Sequence, residues 1–341
     1  MTWAELEDLL WDAVPRVEPA RLLAAIAERT RRYTDERDRL AAPVPARDAD
    51  RDLAARALFF TLADAPKIGL PIAELDARGL VPASDPLAVL DAGAGCGALT
   101  FGVHAALPGR RLDVTAVDAD LGALDVLGRV ARHLPLAVRT VRADVTAALP
   151  PGPFDLCLAG SVLNELPEDA RLPLVEALVA RTRPGGATIL LEPALRLTSR
   201  ALHHLRDAII ARGIAHVFAP CTRAGDCPAL AHPRDWCHED RPFDPPPRLR
   251  GLAARLGLRQ GGQKFSYLTL RAGPGTVADG ALRIVSGALD RKGTVERIGC
   301  GTAGWVRLRE LKRNKPVALA SAHRGDLLHP DGRLERITSR S

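Results

Sequence analysis

The chain has 341 residues, 47% of them apolar and 4% aromatic, with a net charge of +6. This length suggests two or three domains, and no window holds the about 18 to 20 uninterrupted apolar residues that a membrane-spanning helix requires. The first dozen residues are acidic and resemble neither a secretory signal nor a mitochondrial transit peptide, so we expect a cytoplasmic protein that does not contact membranes.

The N-terminal region shows helical periodicity. Leucine and isoleucine recur at helical spacing in Leu6–Leu10 and Leu22–Ile26, and a second amphipathic segment covers residues 52–63. Alanine and arginine are frequent throughout, and alanine is the strongest helix former. We therefore predict a helical cap over residues 1–80, without catalytic chemistry of its own.

The most informative stretch is residues 89–100, which read V-L-D-A-G-A-G-C-G-A-L-T. An apolar strand ends at Asp91, and Gly93, Gly95 and Gly97 let the backbone turn sharply and approach a ligand without Cβ clashes. Glycines at alternate positions directly after a strand predict a nucleotide-type cofactor. The spacing G-x-G-x-G differs from the dinucleotide fingerprint G-x-G-x-x-G, and the carboxylate of Asp91 would repel a pyrophosphate.

The next segments follow the order of a parallel sheet. A crossover helix is predicted over Leu99–Ala106. The further predicted strands are residues 113–118, 138–145, 154–166 and 183–193. Because Asp118 ends the first of these strands, it is the natural acceptor for a ribose diol. The order of elements predicts an α/β fold with a Rossmann-like sheet.

This order of elements resembles the class I S-adenosylmethionine-dependent methyltransferases. The resemblance implies that seven residues bind S-adenosylmethionine: Asp91, Gly93, Ala94, Gly95, Gly97, Asp118 and Asp144. By the same resemblance, Asp91 and the glycine loop hold the amino-acid part of the cofactor, Asp118 the ribose and Asp144 the adenine amine. An α/β domain with an empty pocket is the alternative.

The end of the fourth predicted strand bears on the type of methyl transfer. Methyltransferases of exocyclic base amines usually carry N/D-P-P-Y/F/W here, and cytosine C5 methyltransferases use a Pro-Cys nucleophile. Residues 160–166 read G-S-V-L-N-E-L and contain neither motif. Asn164 and Glu165 are the polar groups expected to face the methyl site, so they are the candidate catalytic residues.

A second informative stretch is the Pro- and Gly-rich segment of residues 218–243, which has no helical or strand period. The cysteines in this segment and beyond it are Cys221, Cys227, Cys237 and Cys300. In a reducing cytoplasm, clustered cysteines bind metal more often than they form disulfides. Four thiolates could hold zinc or an iron–sulfur cluster, and their spacing leaves both open, with His232 and His238 as further zinc ligands. Free thiols are the third interpretation.

The cysteine pattern carries a second resemblance. A methyltransferase core followed by A-P-C-x5-C-P, W-C-H and a basic β-rich end resembles the methyltransferase-like proteins associated with the mitochondrial small ribosomal subunit and their bacterial relatives. The resemblance covers the chain from residue 50 onward and implies a [4Fe–4S] cluster on the four cysteines. It also implies action on the small ribosomal subunit and contact with its rRNA. The chain departs from the family at Glu239, where C-H-F is frequent.

The C-terminal end carries the basic character of the chain. Residues 281–341 contain 13 Lys and Arg against 6 Asp and Glu. Two segments there alternate apolar and polar residues, which predicts strands with one exposed face. The cations expected on this surface are Arg297, Arg307, Arg309, Lys312, Arg313 and Lys315. A small β-rich domain of the oligonucleotide-binding (OB) type would contact RNA mainly through phosphates, and a solvated basic face is the alternative.

The sequence thus predicts four regions: a helical region 1–80, a methyltransferase core 81–217 and 248–272, a Cys-rich insertion 218–247 and a basic β-rich domain 273–341. Three functions stay open. The protein is an rRNA methyltransferase, a non-catalytic assembly or translation factor of the small subunit that binds rRNA, or a zinc-containing methyltransferase of another substrate.

Overall fold

A computed structural model describes most of the chain. The described residues are 1–40, 42–259, 261–274, 280–313, 318–329, 332 and 334–335. Lys315 of the predicted basic surface lies outside them. No helix within these residues is both long and apolar enough to cross a membrane.

Helices dominate the N-terminal third and flank the sheet. In chain order they are α1 (Trp3–Ala13), α2 (Pro19–Thr34), α3 (Ala49–Ala55), α4 (Leu62–Asp64), α5 (Gly69–Asp76), α6 (Ala98–Ala106), α7 (Leu121–Ala131), α8 (Glu168–Arg181), α9 (Arg196–Ala211), α10 (Pro247–Arg255) and α11 (Ala318–Ser321). A π-helical turn, Arg56–Thr61, and a 3₁₀ turn, Ala65–Ile68, join α3 to α5 into one helical run. Another 3₁₀ turn, Leu163–Glu165, follows the fourth strand.

The strands form two sheets. In chain order they are β1 (Leu87–Ala92), β2 (Leu112–Asp118), β3 (Ala137–Arg142), β4 (Phe154–Gly160), β5 (Thr182–Pro193), β6 (His216–Ala219), β7 (Glu239–Arg241), β8 (Gln263–Arg271), β9 (Leu282–Ile284), β10 (Leu289–Arg291), β11 (Thr294–Gly301), β12 (Gly304–Leu311), β13 (Leu327–Leu328) and β14 (Leu334–Glu335).

The larger sheet confirms the predicted α/β architecture. Its order is β3-β2-β1-β4-β5-β8-β6, with β7 also paired to β8. Strands β1 to β5 are parallel, and β8 runs antiparallel to β5. Because the strand order reverses between β1 and β4, a crevice opens there at the carboxyl ends of the strands, where doubly wound sheets bind ligands. The glycine loop follows β1 at this point.

The N-terminal helices are packed on this sheet. Leu6, Leu10 and Ile26 are fully buried in the same apolar core as β1 and β2. Glu7 is also buried, and its carboxylate accepts hydrogen bonds from the backbone N–H groups of Arg248 at 3.1 Å and Leu249 at 2.7 Å. These groups open α10, so Glu7 caps a helix N-terminus from 241 residues away in sequence.

The C-terminal strands form an antiparallel sheet of order β10-β11-β9-β13-β14, with β12 beside β11. One prediction for this sheet was wrong. Arg297, expected on the exposed face, is 6% exposed, and its Nε donates to the Leu319 carbonyl at 3.0 Å, because α11 covers that face. Arg307 and Arg309 do extend toward solvent, but both pair with the carboxylate of Glu296.

Candidate functional site

The glycine loop after β1 has the backbone that its sequence predicts. Gly93, Gly95 and Gly97 have φ values of +73°, +53° and +94°, in the left-handed region that favours glycine. The loop is fixed to the end of β2, because the N–H groups of Gly93 and Ala94 donate to the Val117 carbonyl at 2.8 and 3.0 Å. The first turn of α6 therefore begins directly beside the crevice.

Asp91 lies at the base of this crevice and is 1% exposed. Its Oδ2 accepts hydrogen bonds from the Thr100 backbone N–H at 3.1 Å and the Thr100 hydroxyl at 2.7 Å. Burial raises the pKa of Asp91 to about 6, although the hydrogen bonds from Thr100 oppose this. Asp91 thus joins β1 to α6 and also lines a small cavity at the crevice.

Asp118 and Asp144 lie at neighbouring strand ends. Asp118 accepts from the backbone N–H groups of Gly95 and Asp120, each at 2.8 Å, so the predicted ribose acceptor also holds the glycine loop. Asp144 is exposed and accepts hydrogen bonds from the hydroxyl and the backbone N–H of Thr146, at 2.7 and 2.8 Å. These contacts hold the pKa of Asp144 below its usual range. The Ala143 N–H donates to the Asp118 carbonyl, which brings the two strand ends together.

Asn164 and Glu165 lie in the 3₁₀ turn after β4. Asn164 is 8% exposed, and its side chain donates to the Ser161 carbonyl at 2.7 Å. Its Oδ1 and its backbone carbonyl both accept from Arg37 Nη2, at 3.1 and 2.8 Å. Asn164 therefore ties the turn to the N-terminal region, whereas Glu165 is exposed at a large cleft.

Two cavities meet at Glu192, a residue that the sequence analysis did not single out. The small cavity is lined by the glycine loop, Asp91 and Lys67, and the large cleft, of ≈ 1150 Å³, by Asn164 and Glu165 among others. Glu192 lines both. The sequence did contain a signal for Glu192: its carboxylate ends the apolar run T-I-L-L-E-P, as Asp91 and Asp118 end their strands.

The Glu192 carboxyl group is 3% exposed. Its Oε1 accepts from the Leu163 backbone N–H at 3.0 Å, and its Oε2 is buried with no hydrogen-bond partner among the residues that the structure describes. Burial raises the pKa of Glu192 to about 8, although hydrogen bonds from Asn164 and Leu163 oppose this. A carboxyl oxygen thus remains available where the two cavities meet.

The four predicted metal ligands converge on a third cavity. The cysteines lining it are Cys221, Cys227, Cys237 and Cys300. Burial raises the pKa of Cys227 to about 11 and of Cys300 to about 12, with further raising by Cys221. Of the two histidines considered for zinc, His238 lines the cavity, whereas His232 is not among its lining residues. Within the described part of the chain, no group of three or more His, Cys, Asp and Glu side chains is arranged around a metal-ion site.

Helix α9 holds the cysteine segment. His203 Nε2 accepts from the Cys237 backbone N–H at 3.0 Å, and Asp207 accepts from the Cys227 backbone N–H at 3.0 Å. The Thr222 hydroxyl donates to the Cys300 carbonyl at 3.0 Å, which connects the segment to β11. The sequence could not predict this support, because it comes from a helix that carries no cysteine.

Several polar groups around the cysteine cavity lack partners among the described residues. The buried atoms are Arg206 Nε, Arg223 Nε, His238 Nδ1 and Tyr267 Oη. Arg206 is itself 1% exposed, and its Nη atoms donate to the carbonyls of Arg223 and Gly225 at 2.5 and 2.6 Å. Buried donors without partners are costly, and an anionic sulfur-rich group in this cavity would satisfy them. The four thiols and these donors have the chemistry that an anionic cluster needs, whereas the described side chains are not arranged around a metal ion.

The fold and the glycine loop define the class: a Rossmann-like, doubly wound α/β protein whose ligand crevice lies at the carboxyl ends of β1 and β4. Within this class, the chain belongs to the family described as mitochondrial small ribosomal subunit Rsm22, whose model matches residues 73–319. No match was found among curated proteins.

The chain is also similar in structure to S-adenosylmethionine-dependent methyltransferases. Magnesium protoporphyrin IX methyltransferase from Synechocystis PCC 6803, with the cofactor bound, is 14% identical with a TM-score of 0.37, over 72% of this chain and 96% of that one. The plantazolicin methyltransferase BpumL, bound to S-adenosylhomocysteine, is 12% identical with a TM-score of 0.40, over 74% and 96%. TehB from Haemophilus influenzae is 16% identical with a TM-score of 0.34, over 59% and 61%.

Proposed function

We propose that this protein is an S-adenosylmethionine-dependent methyltransferase that acts on rRNA of the small ribosomal subunit. The observation that carries the proposal is the arrangement of two cavities. A small cavity of ≈ 30 Å³ beside the glycine loop, with room for the methyl end of a donor only, adjoins a cleft of ≈ 1150 Å³, and Glu192 lines both. A methyl donor and a large acceptor could thus meet at one carboxyl group, as transfer by proximity requires.

The residues of the crevice support binding of S-adenosylmethionine. The backbone of the Gly93–Gly97 loop would hold the amino-acid part, with Asp91 fixing the loop against α6. Asp118 would contact the ribose with the lone pairs that Gly95 and Asp120 leave free, and Asp144 the adenine amine. The cofactor supplies an electrophilic methyl group, and these residues orient it toward the cleft. Asn164 positions the turn at the cleft, and Glu165 faces the acceptor.

We also propose a [4Fe–4S] cluster on Cys221, Cys227, Cys237 and Cys300. Its support is the convergence of the four cysteines on one cavity and the unpartnered donors around it. The buried guanidinium of Arg206 and the unpartnered donors would stabilise the negative charge of a cluster. The cluster would connect the cysteine segment to β11. Zinc on the same thiols is the alternative.

The proposed partner is the small subunit, bound through the basic C-terminal region. Lys312 and Arg313 lie there at the end of β12, and the predicted OB-type domain would bind rRNA through phosphates. Pairing of Arg307 and Arg309 with Glu296 lowers the charge of the sheet itself. We also propose a cytoplasmic location, on the acidic first dozen residues.

A non-catalytic factor of small-subunit assembly or translation is the second candidate. One observation favours it. The Asn164 amide group is engaged at both ends, by Ser161 and Arg37, so one of the two predicted catalytic side chains serves to hold the turn. Such a factor would bind S-adenosylmethionine as a structural or sensing ligand.

A methyl-transfer assay tests the main proposal. Small subunits purified from cells that lack the protein are incubated with labelled S-adenosylmethionine and the anaerobically purified protein. We expect label in the rRNA fraction, at a single position after nuclease mapping. Retention of the subunits by the protein without any label in their rRNA would contradict methyl transfer and favour the assembly factor.

Metal analysis tests the cluster. Anaerobically purified protein is expected to absorb near ~400 nm and to contain about four iron per chain. Cys221→Ser should lose both, whereas Cys157→Ser, a buried cysteine of β4 outside the cavity, should retain both. One zinc per chain and no visible absorbance would show a zinc site in place of the cluster. If the anaerobic protein contains neither iron nor zinc, the cluster and the zinc site are both contradicted.

A further inference from the structure

Glu192 is the one group shared by the two cavities, and its Oε2 is buried without a partner among the residues described. A buried carboxyl oxygen that lacks a hydrogen bond costs free energy, so the group requires an explanation, and use by a ligand or a reaction is one. The other oxygen is fixed by the Leu163 N–H at 3.0 Å, so the carboxyl group has a defined orientation.

We propose that Glu192 accepts the proton that the methyl acceptor loses, and that the acceptor atom is a nitrogen or oxygen bearing hydrogen. This inference rests on the proposed methyl transfer and names its acceptor class. The chemistry is that of an exocyclic base amine or a ribose hydroxyl. A ring nitrogen without hydrogen has no proton to give, and residues 160–166 lack the Pro-Cys nucleophile that methylation of cytosine C5 uses.

The step balances without another reactant. The lone pair of the acceptor nitrogen or oxygen forms a bond to the methyl carbon of the sulfonium donor, and the carbon–sulfur bond breaks with its electron pair left on sulfur. The N–H or O–H bond then breaks, its electrons remain on the acceptor, and the proton moves to Glu192 Oε2. The positive charge on sulfur is lost, and the carboxylate of Glu192 becomes protonated. This proton leaves to solvent when the product dissociates.

The charged surroundings of Glu192 suit this role. Arg37 and Glu165 face it from the cleft, and Asp64, Lys67 and Asp91 line the small cavity on the other side. Burial keeps the carboxyl group largely protonated at pH 7, since its pKa is raised to about 8. A sulfonium cation in the small cavity would favour ionisation, because an opposite charge nearby stabilises the carboxylate. The base would thus form when the donor binds.

Glu192→Gln tests the role, because it keeps the shape of the side chain and removes the ionisable oxygen. With small subunits as acceptor, we expect methyl transfer to fall about 10²- to 10⁴-fold, as for loss of a general base. At subsaturating S-adenosylmethionine, where the rate reports the donor-free enzyme, wild-type transfer should rise with pH toward about pH 8, and this rise should vanish in the variant. Glu176→Gln, on the outer surface of α8, is the control and should retain both the wild-type transfer rate and its rise with pH.

A second measurement does not depend on turnover. Calorimetric titration near pH 7.5 in buffers of different ionisation enthalpy counts the protons released on binding. S-adenosylmethionine should release roughly half to one proton more than neutral S-adenosylhomocysteine, and Glu192→Gln should abolish the difference. Equal proton counts for the two ligands in the wild type would show that the carboxyl group does not face the donor, which overturns the proposal.

The outcomes separate this inference from the function on which it rests. Wild-type-like transfer by Glu192→Gln, or a product methylated on carbon or on a hydrogen-free ring nitrogen, overturns the role of Glu192 while methyl transfer stands. No transfer by the wild type overturns the proposed function and the transfer step with it. In that case, a proton release that depends on Glu192 still supports the placement of its carboxyl group against the donor.

Discussion

Gly93 and Gly95 share a left-handed backbone but have different surroundings. A Cβ atom on Gly93 would lie 2.2 Å from Cγ2 of Val162, in the turn after β4. A Cβ atom on Gly95 would meet nothing within 4 Å. Both substitutions strain the backbone, but only the first also forces apart the two elements that border the crevice.

We therefore predict unequal effects of alanine at these two positions. Gly93→Ala should reduce affinity for S-adenosylmethionine at least about tenfold, a cost of ~1.4 kcal/mol, because the loop and the Val162 turn must separate. Gly95→Ala should reduce it less. Isothermal titration of both variants checks this, and equal losses would show that the contact with Val162 does not shape the site.

Glu192 also gives a prediction for stability. Its folded-state pKa of about 8 lies above the ordinary value of a glutamate, so the folded state binds a proton that the unfolded state has lost at neutral pH. Its contribution to stability is full below about pH 4 and is lost as pH rises toward 8.

Glu192→Gln removes this dependence. We expect the variant to be more stable than the wild type at pH 8, on the order of 1–3 kcal/mol, and the gain to shrink at pH 5. Thermal unfolding at both pH values measures it. A gain that is the same at the two pH values would have another origin than ionisation of Glu192.

Among the elements, the N-terminal helices and the crevice are joined by a chain of ion pairs. Arg29 on α2 pairs with Asp52 on α3 at 2.6 Å, Arg56 pairs with both Asp52 and Asp120, and Asp120 caps α7. The backbone N–H of Asp120 donates to Asp118. The predicted helical cap thus reaches the proposed ribose acceptor through charged side chains.

Asp52→Asn should weaken this connection. Asp52 is 15% exposed and bonded to two arginines, so we expect a loss of about 1–3 kcal/mol of unfolding free energy and weaker cofactor binding. Asp125→Asn, in a surface pair with Arg129 in which Asp125 is 52% exposed, should cost less than about 1 kcal/mol. Chemical unfolding and cofactor titration compare the two variants. Similar losses of stability and affinity in both would show that the ion pairs of Asp52 do not connect the helices to the cofactor site.

The elements also show how far the sequence could predict the structure. The predicted strand at residues 113–118 is observed as Leu112–Asp118, because apolar runs followed by turn signals mark buried strands. Arg297 was predicted to lie on an exposed face. Period-two alternation shows that a strand has two faces, but it does not show which element packs on each face. Its cover, α11, comes later in the chain, and a local pattern does not contain it.

Some site residues could likewise be predicted from local sequence, whereas others depend on how distant elements pack. The glycine loop and the strand-end carboxylates could be predicted, since backbone conformation and topology determine where they lie. Glu192 was missed, because one carboxylate at the end of a strand is ambiguous until the cavities on both sides are known. The hydrogen bond between Arg37 and Asn164 spans 127 residues and depends on how the N-terminal region packs.

For the whole molecule, a buried ionic cluster joins the C-terminal sheet to the core. Arg283 on β9 is 4% exposed; its Nη1 donates to Glu74 on α5 at 2.6 Å and its Nε to the Pro220 carbonyl at 2.9 Å. Pro220 precedes the first cysteine of the third cavity. One side chain therefore links the C-terminal sheet, the helical region and the cysteine segment.

Arg283→Ala should release the C-terminal sheet, because it leaves Glu74 buried without its partner. We expect a loss of about 3–5 kcal/mol and faster proteolytic cleavage of the segment after β8. Arg291→Ala, at an exposed position of β10, serves as the control. If both variants resist protease equally, the cluster does not hold the sheet in place.

The most direct test of methyl transfer to the small subunit is a methylation map of small-subunit rRNA from three strains: one lacking the protein, one complemented with the wild type and one complemented with Gly93→Ala. We predict that a single methylated nucleoside disappears in the first strain, returns with the wild type and returns to a lower level with Gly93→Ala. An unchanged map in the deletion strain, with ribosome assembly rescued equally by both complementing genes, would contradict methyl transfer and make the protein a binding factor.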